Sequence, residues 1–472
     1  MKQILLTCIS ILCISIGINA QNFAIQNIDP NTGEEPYEIA SGDLDGDGDM
    51  DIVMATYNYN DGTPVQDYIK WYSNDGSGSF TIETTVSSTI RYVDGLIIAD
   101  IDGQFGDDII ATSVNQNKLV YFLSDGAGGF GLETSVDSAI NSPGEVIAAD
   151  LNEDGNMDLI TVSYGNERTQ WYLGDGAGGF TPQTHIHDGI FDGDDGPYFV
   201  KAGDLDGDTD IDVVVGYVDS QSIVIYYNQF FGSGTVSWIK DTVPVDTGGS
   251  YLFEIGIGDV NNDGNMNVFK VDFTSGDVAW YSKIVNGASS ENIISDDTII
   301  NNPGSVLVAD IDNDMLNDVI VTDGGVVDDA MIWFKGASNA SPSTIPTLVI
   351  NNNFQMFDIT VEDFDGDLDQ DIATIGNFSD TVDWYKNDLI TLSVDDSSFE
   401  TLNIYPNPTK DILHFKGLTN EYYNVSISDF LGKKILNTTV NANNGLDVSQ
   451  LNSGIYIIKF ENNNTTYKFI KE

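Results

Sequence analysis

One nine-residue pattern, repeated along the chain, constrains its fold more than any other feature. Residues 43–51 read "DLDGDGDMD", with aspartates at alternate positions and the apolar run "IVMA" directly behind them. Related loops begin at Asp100, Asp150, Asp204, Asp259, Asp310 and Asp363, giving seven copies at intervals of 50–57 residues. A steady period of this length belongs to propellers and solenoids. Each copy keeps one internal order. A short apolar run such as "GLIIA" precedes the acidic loop, and a second such as "DLITV" follows it. After a polar turn comes a run with paired aromatics, as in "IKWY", "TQWY" or "VDWY". In three copies a glycine-rich turn, "NDGSGSF", "SDGAGGF" or "GDGAGGF", then leads into a fourth run.

Four short β-like runs per unit make one blade, and helical periodicity is nowhere sustained. The expected fold is all-β: a seven-bladed β-propeller over residues 21–388. A linear β-solenoid is the alternative. The chain ends favour a ring. The seventh unit stops after "TVDWYKND" without a clear fourth run, and "NFAIQNI" at residues 22–28 reads as a spare strand placed ahead of the first unit. That strand would complete the last blade and remove the open edges of the array.

Clustered carboxylates repel one another unless something neutralises them. In a D-x-D-x-D-G-x-x-D loop the side chains at positions 1, 3, 5 and 9 converge, and position 7 offers a carbonyl. Glycine at position 4 or 6 eases the turn. Every donor is oxygen, which selects a hard cation, Ca²⁺, at up to seven sites. The first site comprises Asp43, Asp45, Asp47 and Asp51, with the carbonyl of Asp49. The second comprises Asp100, Asp102 and Asp108, with Gln104 at position 5. The third is Asp150, Asn152, Asp154 and Asp158; the fourth is Asp204, Asp206, Asp208 and Asp212. The fifth, Asp259, Asn261, Asp263 and Asn267, has two carboxylates and is expected to be weakest. The sixth, Asp310, Asp312, Asp314 and Asp318, lacks glycine at both turn positions; the seventh is Asp363, Asp365, Asp367 and Asp371. The alternative is a set of solvated Asp/Gly turns.

The loop "DLDGDGDMD" together with "NDGSGSF" resembles the FG-GAP and VCBS-type repeats of integrin-α-like propellers, over roughly residues 22–388. The resemblance implies a propeller.

Acidic residues outnumber basic ones 74 to 18, for a formal charge of -56. That excludes the basic footprint of a nucleic-acid binder and docking on anionic lipid. Residues 1–20, "MKQILLTCISILCISIGINA", read as a secretory signal peptide cut before Gln21. Both cysteines, Cys8 and Cys13, fall within it. The mature chain then has no disulfide, and calcium takes over as the staple. No later segment is long and apolar enough for a transmembrane helix.

From residue 396 onward seven lysines stand against eight acidic residues, whereas residues 1–395 hold 11 basic and 66 acidic ones. The shift marks a linker at 389–395 and a small β-sandwich domain at 396–472. The tail resembles the C-terminal sorting domain of the type IX secretion system of Bacteroidetes-like bacteria. The matching residues are Tyr405-Pro406-Asn407-Pro408, the Leu451–Phe460 strand and the closing "KFIK". The resemblance implies the type IX secretion machinery as a partner. It also implies export, tail removal, and release or retention on the outer cell surface.

No G-x-S-x-G, H-E-x-x-H or phosphate-binding loop is present. The reading is a non-catalytic binding or adhesion module for an extracellular glycan or protein. Its ligand face lies opposite the acidic hairpins. Five positions before each first aspartate stand Glu38, Gly95, Glu145, Phe199, Glu254, Ser305 and Asp358, four of them acidic and near the channel mouth. Tyr37, Tyr92, Tyr198, Phe253 and Phe357 add aromatic surface beside them. The alternatives are a polysaccharide lyase or glycosidase using two of these carboxylates, and a structural surface component. Arg91 with Tyr92 is the pair that could supply a lyase base. His185 and His187 read as two surface histidines, and the aromatic pairs as packing between blades.

Overall fold

A computed structural model describes residues 22–388 and 403–471 apart from short segments. The longest of these are 58–66, 190–193, 244–250, 283–290, 324–329 and 352–355 in the first part, and 417–421 and 461–465 in the second. The signal peptide and the linker expected at 389–395 lie outside the described residues. The chain divides into two compact units, Met1–Ile390 and Thr391–Glu472.

The first unit is built of seven antiparallel sheets, each with a path of four strands, among the described residues. The first sheet runs Pro36–Gly42, Asp51–Thr56, Ile69–Asn74, Phe80–Ser87, and the next five repeat that consecutive order. The second strand of every sheet is buried along its whole length, from Asp51–Thr56 to Asp371–Gly376. Such a strand has a neighbouring blade on each face, so its sequence is a continuous apolar run rather than an alternating one. The paired aromatics follow the same logic. Trp71, Tyr72, Trp171, Tyr172, Trp280, Tyr281, Trp384 and Tyr385 are all buried, in clusters that join adjacent blades.

The innermost strands are Pro36–Gly42, Val93–Ala99, Pro143–Ala149, Pro197–Gly203, Leu252–Gly258, Pro303–Ala309 and Met356–Glu362. Each packs against the next, and the last packs against the first. Crowding there explains the small residues that end six of the seven. A Cβ on Gly42 would stand 2.4 Å from Ile98 Cγ2, and one on Gly258 2.5 Å from Val308 Cβ.

The ring closes as the chain ends suggest. Asn22–Asp29 pairs antiparallel with Thr381–Asp388, from Asn22 opposite Asp388 to Asp29 opposite Val382, and supplies the fourth strand of the last sheet. Asp29, buried at the end of this strand, accepts from Lys70 Nζ and the Tyr72 hydroxyl of the first blade, both at 3.1 Å. Ile39, Ile52, Met54 and Tyr72 share one core cluster with Phe364, Ile375 and Trp384 of the seventh blade. The joint between first and last blades is thus packed like the others, which rules out the linear solenoid. Side chains at the end of the third strand also stitch blades together. Asn74 Nδ2 donates to the Phe364 carbonyl at 2.7 Å, Ser124 Oγ to Leu44 at 2.6 Å, Asn228 Nδ2 to Leu151 at 2.8 Å, and Asn387 Nδ2 to Ile311 at 2.9 Å.

The second unit is a small two-sheet domain. One sheet orders Asn403–Tyr405, Ile412–Lys416 and Leu446–Asp447; the other orders Lys434–Asn441, Tyr422–Asp429, Gly454–Phe460 and Thr466–Lys471. Leu413, Phe415, Val425, Ile427, Ile458 and Phe460 form its core. Among the described residues of the chain no helix is long and apolar enough to cross a membrane.

Candidate functional site

Two sets of acidic side chains stand out, one in the hairpin loops and one at the channel. Each acidic loop joins an innermost strand to the second strand. The position-9 residue is the first residue of that buried strand, and it acts as a lock. Asp51 Oδ2 accepts from Leu44 N–H at 3.1 Å and Oδ1 from Asn74 N–H at 2.8 Å. Asp108, Asp158, Asp212, Asp318 and Asp371 each repeat both bonds. Burial pushes the carboxyls of Asp51, Asp212, Asp318 and Asp371 up to about 7 and those of Asp108 and Asp158 up to about 6. In the fifth loop Asn267 Oδ1 accepts the first of these bonds, from Val260 N–H at 3.2 Å, and its buried Nδ2 has no acceptor among the described residues. Position 9 therefore has a structural duty that the ligand pattern alone does not reveal.

Position 1 preforms the turn. Asp43 accepts from Gly48 N–H at 3.0 Å, and Asp150, Asp204, Asp259, Asp310 and Asp363 accept from the same place in their loops. Positions 4 and 6 are both left-handed wherever both are described. The sixth loop keeps this shape without glycine, with Asn313 at φ +57° and Met315 at φ +69°. Glycine is thus not the requirement that the sequence pattern suggested; the hydrogen bonds to position 1 hold the turn.

Carboxylate oxygens gather within 4.8 Å of one another in five loops: Asp43, Asp45 and Asp47; Asp100, Asp102 and Asp108; Asp204, Asp206 and Asp212; Asp310, Asp312 and Asp318; Asp363, Asp365 and Asp371. The buried oxygens Asp43 Oδ1, Asp45 Oδ1, Asp312 Oδ1 and Asp365 Oδ1 accept no hydrogen bond. A buried anionic oxygen without a partner is costly, so Asp43 and Asp45 fit a hard cation, whereas Asp312 and Asp365 already meet a lysine ammonium through the other oxygen. In the third and fifth loops the position-3 amide spends itself on position 5: Asn152 Nδ2 donates to Asp154 at 2.9 Å and Asn261 Nδ2 to Asp263 at 3.0 Å. The remaining expected donors, Asp49, Gln104, Asp208, Asp314 and Asp367, stand on the partly or fully exposed rims of their loops.

The opposite end of the innermost strands lines a cavity of about 590 Å³. The ladder between first and second strands slips near this end in every blade, for example between Pro36 and Glu38 and between Leu252 and Glu254. A bulge re-aims side chains, and here it turns consecutive residues toward the channel. Tyr37, Glu38, Glu145, Tyr198, Phe253, Glu254 and Asp358 all line the cavity, as their spacing suggested. Tyr92 does not; it ends an aromatic row in which Tyr37 lies 4.8 Å from Tyr57 and Tyr57 lies 5.2 Å from Tyr92. The side chain of Phe357 lies outside the description.

Among the lining residues that escape the sequence pattern are Asp94 and Lys201. The five-residue offset selects Gly95 in the second blade, whereas the bulge presents Asp94, one residue earlier. Lys201 reaches the centre from a strand whose offset residue is Phe199. Its Nζ lies 2.8 Å from Glu145 Oε1 and 3.3 Å from Glu254 Oε1.

Two of the five carboxylates also cap neighbouring backbone. Glu145 accepts from Val200 N–H at 2.7 Å, and Asp358 from Ile39 N–H at 3.0 Å, each across a blade boundary. Asp94 Oδ2 is buried without a partner. Burial, with neighbouring carboxylates behind it, raises Glu38 well above the ordinary carboxylate range, Glu254 to about 8 and Asp94 to about 7. The carboxylates in turn hold the Lys201 ammonium well above its usual range, against its own desolvation. The mouth therefore sets carboxyls whose protonated form burial favours beside the Lys201–Glu145 ion pair.

The histidines part company with the surface expectation. His187 is buried against Tyr217 and Tyr226, with ring centroids 5.8 and 5.6 Å away. Only His185 stays partly exposed, 3.6 Å from Asp188. The cause is the short strand His187–Asp188, which pairs with the third strand of its blade and turns His187 inward.

An FG-GAP-like repeat family matches residues 43–104 and 150–215, and a secretion system C-terminal sorting domain family matches residues 403–472. No curated protein matches the chain in sequence. Among solved structures, BBS1N in complex with ARL6DN is similar with a TM-score of 0.53 at 8% identity, over 77% of this chain and 96% of that one. An Agrocybe aegerita lectin that recognises non-reducing terminal N-acetylglucosamine is similar with a TM-score of 0.50 at 17% identity, over 75% and 86%. At these identities the likeness is to the fold alone. The chain is a β-propeller built on FG-GAP-like repeats and ending in a type IX secretion C-terminal sorting domain.

Proposed function

We propose that this secreted propeller is a calcium-stapled binding module whose channel mouth takes an extracellular ligand. The observation that carries the reading is the mouth itself, where Glu38, Asp94, Glu145, Glu254 and Asp358 line one cavity with Lys201, Tyr37, Tyr198 and Phe253. A concave site with aromatic walls and a few convergent polar groups is the usual form of a ligand pocket. Protonated acids donate to hydroxyl oxygens, carboxylates accept from hydroxyl or amine donors, and the aromatic rims stack on apolar sugar faces. A glycan bearing hydroxyl or amine groups suits this set. Calcium at the opposite loops would fix the hairpins that hold the innermost strands in place; Asp43, Asp45 and Asp47 of the first blade would be among its ligands. The sorting tail supports export and a secreted or cell-surface location. The test is a glycan array on calcium-loaded protein, repeated with Glu145→Gln/Glu254→Gln. Binding that the double variant loses supports the reading; binding that persists unchanged overturns it.

One observation favours an enzyme as the second reading. Glu254, whose carboxyl burial raises to about 8, stands with Glu145 on one lysine, and an acid beside a carboxylate is the pairing that glycoside cleavage uses. Release of reducing ends or unsaturated sugars from the bound glycan would establish it. A bound glycan that survives prolonged incubation intact rejects it.

A further inference from the structure

The seven acidic loops are not electrostatically alike. In the sixth blade Lys335 sets its ammonium on Asp312, and on Asp314 at 2.9 Å. In the seventh, Lys386 sets its ammonium on Asp365, on Asp367 at 3.2 Å and near Asp388 at 3.9 Å. Both lysines occupy one place in the blade: directly before the third-strand residue whose N–H the position-9 aspartate accepts, Gly336 and Asn387. The other five blades carry Ser73, Leu123, Leu173, Tyr227 and Ser282 there, none of which offers a charge. Asp312 and Asp365 are the position-3 residues of their loops, the same side chains expected to face a bound cation.

We propose that Lys335 and Lys386 are built-in cations that hold the sixth and seventh loops closed and keep calcium out of them. This rests on the calcium reading above. An ammonium tethered to the blade is always present beside its carboxylates, whereas calcium must arrive from solution. A divalent ion entering either loop must first displace the ammonium. That leaves a positive charge beside the ion, which opposes binding. The third and fifth loops are already crosslinked through Asn152 and Asn261, and the fifth has only two carboxylates. Calcium then concentrates in the first, second and fourth loops, so the expected order differs from a count of carboxylates. By that count the sixth and seventh equal the first. The blades beside the ring closure thereby keep their hairpins at any calcium concentration.

The test compares the full chain with Lys335→Met/Lys386→Met, which keeps most of each aliphatic stem, and with the converse Ser73→Lys. Calcium titration by calorimetry is expected to give the double variant two more equivalents than the parent, and Ser73→Lys one fewer. Hydrogen exchange in excess EDTA supplies a calcium-free readout. Peptides over 310–318 and 363–371 are expected to stay protected in the parent and to exchange roughly tenfold faster in the double variant. Equal calcium equivalents in parent and double variant overturn the proposal while leaving the calcium reading intact. If no protein binds calcium, that reading fails, and the lysine staple is decided by exchange alone: faster exchange in the variant supports it, and unchanged exchange overturns it.

Discussion

Met315 and Leu368 sit at position 6 of their loops with φ of +69° and +73°, and their side chains are 86% and 81% exposed. An L-residue in this region pays about 1–2 kcal/mol that glycine does not. The exposed side chains return little by burial. Met315→Gly and Leu368→Gly are each expected to stabilise the fold by roughly 0.5–1 kcal/mol after the added chain entropy of glycine. Urea denaturation measures it, with Leu132→Gly, exposed but without positive φ, as the control that gains nothing. A residue-scale pH effect follows from Glu254. Its folded-state pKa of about 8 lies above the ordinary value of 4.5. The folded state therefore holds a proton that the unfolded state has lost, and this contribution to stability fades as pH rises from near 4.5 to near 8. Glu254→Gln has no such proton to lose. Its Tm relative to the parent is expected to climb between pH 5 and pH 8; a constant difference would contradict the assignment.

At the scale of elements, the second strands and the aromatic third strands were legible because burial on both faces leaves an unbroken apolar record. The N-terminal strand was legible from a missing partner at the other end. The bulges were not. A one-residue slip leaves no mark in composition, yet it brings Asp94 to the channel beside Gly95. Lys201 was not legible because its partners, Glu145 and Glu254, stand in the two neighbouring blades, and Lys335 and Lys386 were not because each returns to the acidic loop of its own blade from the far end of the third strand. The glycine rule failed in the sixth loop for a similar reason: hydrogen bonds to Asp310 enforce what the residue type does not favour. The closing strand gives the sharpest test at this scale. Asp29→Ala leaves Lys70 and the Tyr72 hydroxyl without their buried acceptor and is expected to cost about 3 kcal/mol. Deleting Asn22–Asp29 should cost more, through the exposed edge of Thr381–Asp388. A deletion variant that stays monomeric and melts with the parent would show that the strand is only a cap.

For the whole molecule, charge and closure pull in opposite directions. Excess negative charge favours expansion, and the loops concentrate it. Excess EDTA is expected to lower the Tm of the propeller markedly, and millimolar Ca²⁺, but not sodium chloride of equal ionic strength, to restore it. A melting curve indifferent to EDTA would leave the lysines, amide crosslinks and blade-to-blade hydrogen bonds as the staples.

The pairing of Asn22 with Asp388 also has a meaning in time. The strand made first waits for the strand made last. At ~5–20 residues per second, that wait is on the order of 20–70 s. Throughout it the growing chain is an arc with two raw edges rather than a ring. The geometry that makes the finished ring durable is the same geometry that postpones its completion.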